Sequence, residues 1–141
     1  MDAAKLMLAA ILAMGVLHTA MIVWLYVSRH AAMKQAGLTY GNATFSAMRK
    51  LPNWALNPAA NYNNLSEAPP LFYAVTLVIV ALGQADTVFA GMAWSYVAFR
   101  VAHSLWQAIL NIIAVRVLLF GLSWLVLALM IARSGFLLFT A

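Results

Sequence analysis

The chain contains no cysteine and only three acidic residues among its 141 positions. Without cysteine it has no disulfide, no thiolate metal site and no thiol nucleophile. Cysteine usage therefore does not indicate whether the protein lies in an oxidising or a reducing compartment. The acidic residues are Asp2, Glu67 and Asp86, so eight Lys and Arg residues leave a formal net charge of +5. No Gly-rich phosphate loop, metal-ligand spacing or nucleophile–base motif is present. The sequence therefore indicates no metal site, and any sulfur chemistry must use a thiol that a substrate brings.

Long apolar runs dominate what is present. Hydrophobic residues make up 66% of the chain and charged residues 8%, which is more apolar than a soluble domain of this length requires. A run of about 20 apolar residues is long enough to cross the hydrocarbon core of a bilayer. The pattern predicts one all-α integral membrane domain over residues 1–141, a four-helix bundle. Its predicted helices span residues 5–28, 60–83, 87–109 and 115–132.

Basic residues are concentrated between the first two predicted helices, where Arg29, Lys34, Arg49 and Lys50 lie. The turn after the second predicted helix, residues 83–87, contains no Lys or Arg. By the positive-inside rule, the long basic connection lies in the cytoplasm and both termini lie outside it. We interpret the positive charge as a signal of orientation and of an anionic ligand or lipid surface, and not of nucleic acid.

A stripe of polar side chains lies on the third predicted helix. Arg100, His103 and Gln107 are spaced by 3 and 4 residues, so they share one helical face. Asn64 and Glu67, three residues apart on the second predicted helix, form a matching pair. Ionisable groups at membrane depth persist only when they are paired, hydrated or used. The simplest arrangement is therefore an ion pair between Glu67 and Arg100.

Two interpretations of these polar residues remain open. Interhelical polar contacts hold many membrane bundles together without any chemistry, and this favours a scaffolding role for Asn64, Glu67 and Arg100. For His103 and Gln107, which are nearer the predicted cytoplasmic end, ligand contact and scaffolding are equally supported.

Arg116 lies at the start of the fourth predicted helix, at the predicted membrane surface. Its ordinary interpretation is an arginine that extends to the interface and follows the charge bias. The alternative is a cation that reaches an anion held between helices. The position alone favours the ordinary interpretation.

Three short motifs resemble the MAPEG superfamily, the membrane-associated proteins of eicosanoid and glutathione metabolism. They are Asn64-Leu65-Ser66-Glu67, then Pro70-Leu71-Phe72, and Arg100-Val101-Ala102-His103. The family pattern has Asn and Glu three apart before a proline and an aromatic residue, and Arg-x-x-His on the third helix. Arg116 lies where microsomal glutathione transferases place an arginine ahead of their last helix. Length, four helices and a basic first connection also agree, so the resemblance covers essentially the whole chain.

This resemblance implies a homotrimer of four-helix protomers in a bacterial inner membrane, with a glutathione site between subunits. Glutathione is then a co-substrate, and the expected activity is its transfer to a lipophilic electrophile or the reduction of a lipid hydroperoxide. The small lipophilic substrate would arrive from the membrane lipids. Arg116 would be catalytic, because a cation stabilises the thiolate that acts as the nucleophile. The residues implied to bind glutathione are Asn64, Glu67, Arg100, His103 and Gln107.

A second class of function stays open, namely a non-catalytic member of the family that binds a lipid or a partner protein. Glutathione-using members resembled here carry a Glu-Arg pair and a further arginine just upstream of Asn64. This chain has residues such as Asn57, Ala59 and Ala60 in that region. Since glutathione has two carboxylates that call for matching cations, this departure weakens the prediction of glutathione binding more than the prediction of the fold.

Overall fold

The computed structural model describes residues 2–140, and within that range every regular element is a helix. Three stretches are long and apolar enough to cross a membrane, namely Ala3–Gln35, Asn53–Ala81 and Ile113–Thr140. This confirms the predicted all-α class and supports an integral membrane protein. In chain order the helices are α1 (Ala3–Gln35), α2 (Phe45–Met48), α3 (Asn53–Glu67), α4 (Pro69–Ala81), α5 (Thr87–Ile109) and α6 (Ile113–Thr140).

The first and last helices extend beyond their predicted ends at residues 28 and 132. α1 continues to Gln35 because charged residues interrupt the apolar run without interrupting the helix. Gly37 then ends it at φ 66°, with the Leu38 N–H donating to the Met33 carbonyl at 2.9 Å, the Schellman arrangement that glycine favours. α6 likewise passes through Arg133 and continues to Thr140.

The second predicted helix, residues 60–83, is two helices that meet at Ala68. α3 begins at Asn53, well before the predicted start, and Pro69 opens α4. Proline at the first helical position costs no hydrogen bond, but Pro69 and Pro70 offer no N–H to the preceding turn. The carbonyl oxygens of Leu65 and Ser66, which N–H groups at positions 69 and 70 would otherwise reach, therefore keep spare accepting capacity.

α5 is the central helix, packed against α1, α3 and α6. Its buried face includes Tyr96, whose ring stacks on Phe72 of α4 with centroids 4.2 Å apart. Arg100, His103 and Gln107 continue the same buried face. The polar stripe is thus enclosed by other helices, where it does not meet lipid.

An ion pair fastens the turn before α5 to α6. Asp86 accepts a hydrogen bond from the Phe89 N–H at 2.8 Å, which caps α5. The same carboxylate accepts from both Nη atoms of Arg133, at 3.1 and 2.5 Å. The Arg133 guanidinium also lies 4.2 Å from the Phe89 ring centroid. One acidic side chain therefore joins two helices and neutralises a cation of α6.

We expect this ion pair to make stability fall in acid. The hydrogen bonds from Arg133 hold the pKa of Asp86 below its ordinary value of 3.8. A depressed folded-state pKa stabilises the fold above pH 3.8, and the stabilisation disappears as the pH falls through the lower folded value. Because the Asp86 side chain is 40% exposed, the effect is at most about 1 kcal/mol. Thermal unfolding in detergent across acidic pH measures it.

The variant Asp86→Asn keeps a capping side chain and removes this acid-dependent step. Asp2→Asn is the matched control, since Asp2 also caps a helix, with its carboxylate accepting from the Ala4 N–H at 3.3 Å, but contacts no arginine within residues 2–140. Asp2→Asn should retain the wild-type acid dependence. The same acid dependence in Asp86→Asn as in wild type would show that another group causes it.

Candidate functional site

A cavity of about 350 Å³ lies where α3, α5 and α6 meet. Three of the residues singled out from the sequence line it, one from each helix. These are Asn64, His103 and Arg116, and the remaining lining residues are Ile113, Val117 and Phe120 of α6. The cavity therefore has polar groups on all three helices and an apolar wall on α6.

Gln107 and Arg100 contact a lining residue but do not line the cavity themselves. The Asn64 side chain donates from Nδ2 to Oε1 of Gln107 at 2.9 Å, while its backbone carbonyl accepts from Nη2 of Arg100 at 2.9 Å. Both partners are completely buried. Asn64 thus connects the cavity to the buried part of the polar stripe.

The predicted ion pair between Glu67 and Arg100 is wrong. Glu67 is exposed at the end of α3 and forms no salt bridge, the one such pair within residues 2–140 being Asp86 with Arg133. Arg100 instead contacts the carbonyl end of α3, where the aligned peptide dipoles place partial negative charge. Its guanidinium also lies 5.7 Å from the Phe120 ring centroid, a cation–π distance. A helix end and an aromatic face take the place of the carboxylate.

Within residues 2–140, buried polar atoms without a hydrogen-bond partner occur on two residues that line the cavity, His103 and Arg116, and on Arg100 and Gln107 behind Asn64. Several buried polar atoms have no partner within the described part of the chain: Nε and Nη1 of Arg100, Nδ1 of His103, Nε2 of Gln107 and Nε of Arg116. No acidic residue lines the cavity, and no group of three His, Asp or Glu residues suited to a metal ion occurs in residues 2–140. Guanidinium and amide donors without an opposing carboxylate suit an anionic ligand.

The sequence did not predict the residues that hold the Arg116 side chain in position, Asn111 and Asn57. Nη1 of Arg116 donates to Oδ1 of Asn111 at 2.6 Å, and Nδ2 of Asn111 donates to Oδ1 of Asn57 at 2.9 Å. Asn111 lies in the turn between α5 and α6, and its side-chain direction depends on the backbone conformation there. No sequence pattern predicts that backbone conformation.

The sequence analysis also did not predict the apolar wall of the cavity, although the spacing of its residues indicates it. Ile113, Val117 and Phe120 lie at helical spacing around Arg116, which places all four on one side of α6. Because α6 is apolar on nearly every face, its hydrophobic pattern does not distinguish a cavity wall from a surface that meets lipid.

Comparison with known proteins identifies the family of the chain. The MAPEG family model matches residues 7–136, nearly the entire chain. No match was found among curated proteins or among solved structures. The family match covers every residue of the cavity and of its supporting contacts. The chain belongs to the MAPEG family.

Proposed function

We propose that this protein is a membrane-bound, glutathione-dependent transferase or peroxidase that acts on lipophilic electrophiles or lipid hydroperoxides. The observation that carries the proposal is the donor-rich cavity without a carboxylate, formed by Asn64, His103 and Arg116. Membership of a family whose members act in glutathione and eicosanoid metabolism supports the choice of ligand. Fully buried Arg100 and Gln107 hold Asn64 in place behind it.

Arg116 is the residue that we assign to the thiolate. A neighbouring cation lowers the pKa of a thiol, and the thiolate is the reactive nucleophile. The chain has no cysteine, so the sulfur belongs to glutathione. In transfer, the thiol loses its proton to solvent, the sulfur bonds to the electrophilic carbon, and the leaving group departs with the electron pair.

In the peroxidase reaction the same thiolate attacks the peroxide. A sulfur–oxygen bond forms as the oxygen–oxygen bond breaks, and protonation releases the lipid alcohol. A second glutathione then converts the sulfenic acid to glutathione disulfide and water. The peroxide is reduced and two thiols are oxidised, so the reaction requires no metal.

The second substrate reaches the site from the bilayer. Ile113 and Val117 line the cavity yet remain 71% and 65% exposed, so the cavity is open along α6. An apolar molecule dissolved in the membrane can therefore approach Arg116 along α6 without crossing water. This asymmetry, with polar donors on α3 and α5 and an apolar entrance on α6, matches a reaction between a hydrophilic thiol and a lipophilic partner.

We further infer that α5 crosses the membrane as a fourth span and that three protomers associate, as in the expected homotrimer. α5 has 23 residues, enough to cross about 30 Å of hydrocarbon. The basic connection between α1 and α3 then faces the cytoplasm of a bacterial inner membrane, and both termini lie on the other side.

The orientation can be read from single cysteines, because the chain has none of its own. Gly41→Cys adds a side chain whose nearest neighbour is Oγ1 of Thr39 at 3.9 Å, an ordinary contact. We expect a membrane-impermeant maleimide to label Gly41→Cys only after the inner membrane is opened. Leu82→Cys, in the turn between α4 and α5, should be labelled in intact spheroplasts. The reverse pattern at both positions would invert the proposed topology.

The experiment that tests the function is a glutathione titration of the detergent-solubilised protein, followed by far-ultraviolet difference absorbance. A bound thiolate absorbs where the free thiol does not. We expect saturable binding with a thiolate signal near neutral pH. S-Methylglutathione should compete for the site and give no signal, since its sulfur cannot ionise. A folded wild-type protein without binding would remove the glutathione assignment.

The second candidate function is a non-catalytic MAPEG protein that binds a lipid or a partner protein. The observation that favours it is the complete burial of Arg100 and Gln107, neither of which lines the cavity, as expected of residues that hold helices together. It predicts glutathione-independent stability and no thiolate signal in the titration above.

A further inference from the structure

Asn111 has an unusual backbone conformation. At φ 54° it is the one residue other than glycine with a positive φ in residues 2–140. Asparagine is among the few residues that adopt this left-handed region at little cost. The Asn111 N–H donates to the Trp106 carbonyl at 2.8 Å, which closes the end of α5. The chain thereby turns from α5 into α6, and the Asn111 side chain reaches residues of both α3 and α6.

Both functional atoms of the Asn111 side chain are used. Nδ2 donates to Oδ1 of Asn57 at 2.9 Å, and Oδ1 accepts from Nη1 of Arg116 at 2.6 Å. Asn57 is buried, at 9% exposure, so the chain of contacts is anchored inside the protein. An amide that donates at one end and accepts at the other has one favourable orientation.

The neutrality of this contact matters for what Arg116 does. A carboxylate at position 111 would also accept from Arg116, but it would neutralise the guanidinium and compete with an anion in the cavity. The amide orients Arg116 and leaves its charge available. Nε of Arg116 is buried without a partner within the described residues, so the side chain retains donor capacity beside the cavity that it lines.

We propose that Asn111 is a positioning residue, held by Asn57, that fixes the Arg116 guanidinium for an anionic group in the cavity without neutralising it. Its role as a positioner of the thiolate rests on the proposed function. Its effect on Arg116 itself does not, and the two can be measured separately.

The first measurement follows Arg116 directly by NMR in detergent, through its Nε–H signal, which is assigned by its loss in Arg116→Lys. Asn111→Gly is the informative variant, because glycine keeps the left-handed turn and removes only the side chain. We expect the Arg116 signal to lose order in Asn111→Gly and, less strongly, in Asn57→Ala. Asn63→Ala, which changes an exposed amide on the same helix, should leave it unchanged. Unchanged order in Asn111→Gly would overturn the proposal.

The second measurement is the pH dependence of the glutathione thiolate signal. In Asn111→Gly we expect its midpoint to rise by about one pH unit, a tenfold loss of thiolate at a given pH. Asn111→Asp keeps the turn and the acceptor but adds a negative charge, so it should raise the midpoint further while keeping Arg116 ordered. A merely structural role predicts equal midpoints in all folded variants, and that result would overturn the proposal. If wild type gives no thiolate signal while Arg116 loses order in Asn111→Gly, the proposed function fails and the positioning role stands.

Discussion

Replacing Arg100 with methionine is expected to raise the melting temperature of the ligand-free protein in detergent. The Arg100 side chain is completely buried, with one hydrogen bond to the Asn64 carbonyl and no carboxylate partner in residues 2–140. A buried charge with incomplete compensation costs several kcal/mol, and an apolar residue of similar volume often removes that cost. We expect a gain of about 1–4 kcal/mol in unfolding free energy. Glutathione should stabilise the wild type and have little effect on the variant.

Arg133→Met is the matched control for this prediction. Arg133 is a partly exposed arginine of α6 that pairs with Asp86 through two hydrogen bonds. Its removal leaves the carboxylate without its cation and should lower stability. A fall in melting temperature in Arg100→Met as large as that in Arg133→Met would show that the Arg100 contacts hold the bundle together. Arg100 would then be a structural residue.

The class of the fold could be predicted from the sequence because a helix that crosses a bilayer requires a long apolar run with few charges. Long apolar runs and scarce charges indicate membrane helices whatever their packing, and the all-α class is confirmed. The polar stripe could also be predicted from the sequence, because helical spacing alone places Arg100, His103 and Gln107 on one face. All three are buried on α5.

The partners of these residues could not be predicted in the same way. Among the side chains, Glu67 is the acidic partner that the sequence offers Arg100, whereas the acceptor is the backbone carbonyl of Asn64. Main-chain oxygens are present at every residue, so the sequence does not single out the one that Arg100 contacts. The contact from Asn111 to Arg116 similarly requires a positive φ, and asparagine permits that conformation without requiring it.

Arg116→Ala is expected to abolish the glutathione thiolate signal while leaving the helical content and oligomeric state unchanged. Arg116 is partly exposed and makes one side-chain hydrogen bond, to Asn111, so its removal opens no core cavity. If catalysis depends on its charge, turnover should fall on the order of 100-fold, as for other single donors that stabilise a developing anion. Difference absorbance and conjugate formation with a lipophilic electrophile measure the two effects. Lys34→Ala, an exposed basic residue at the end of α1, should behave as wild type.

The variant Arg116→Lys separates charge from geometry. Lysine supplies a positive charge but lacks the planar guanidinium that can donate to Asn111 and to a ligand together. We therefore expect a weakened thiolate signal with a raised pH midpoint, between those of wild type and Arg116→Ala. If Arg116 only extends to the membrane surface, all three proteins should give the same signal, or wild type should give none at any glutathione concentration. Equal signals would exclude Arg116 as the thiolate residue, whereas silence in a folded wild type would leave only the family and the fold.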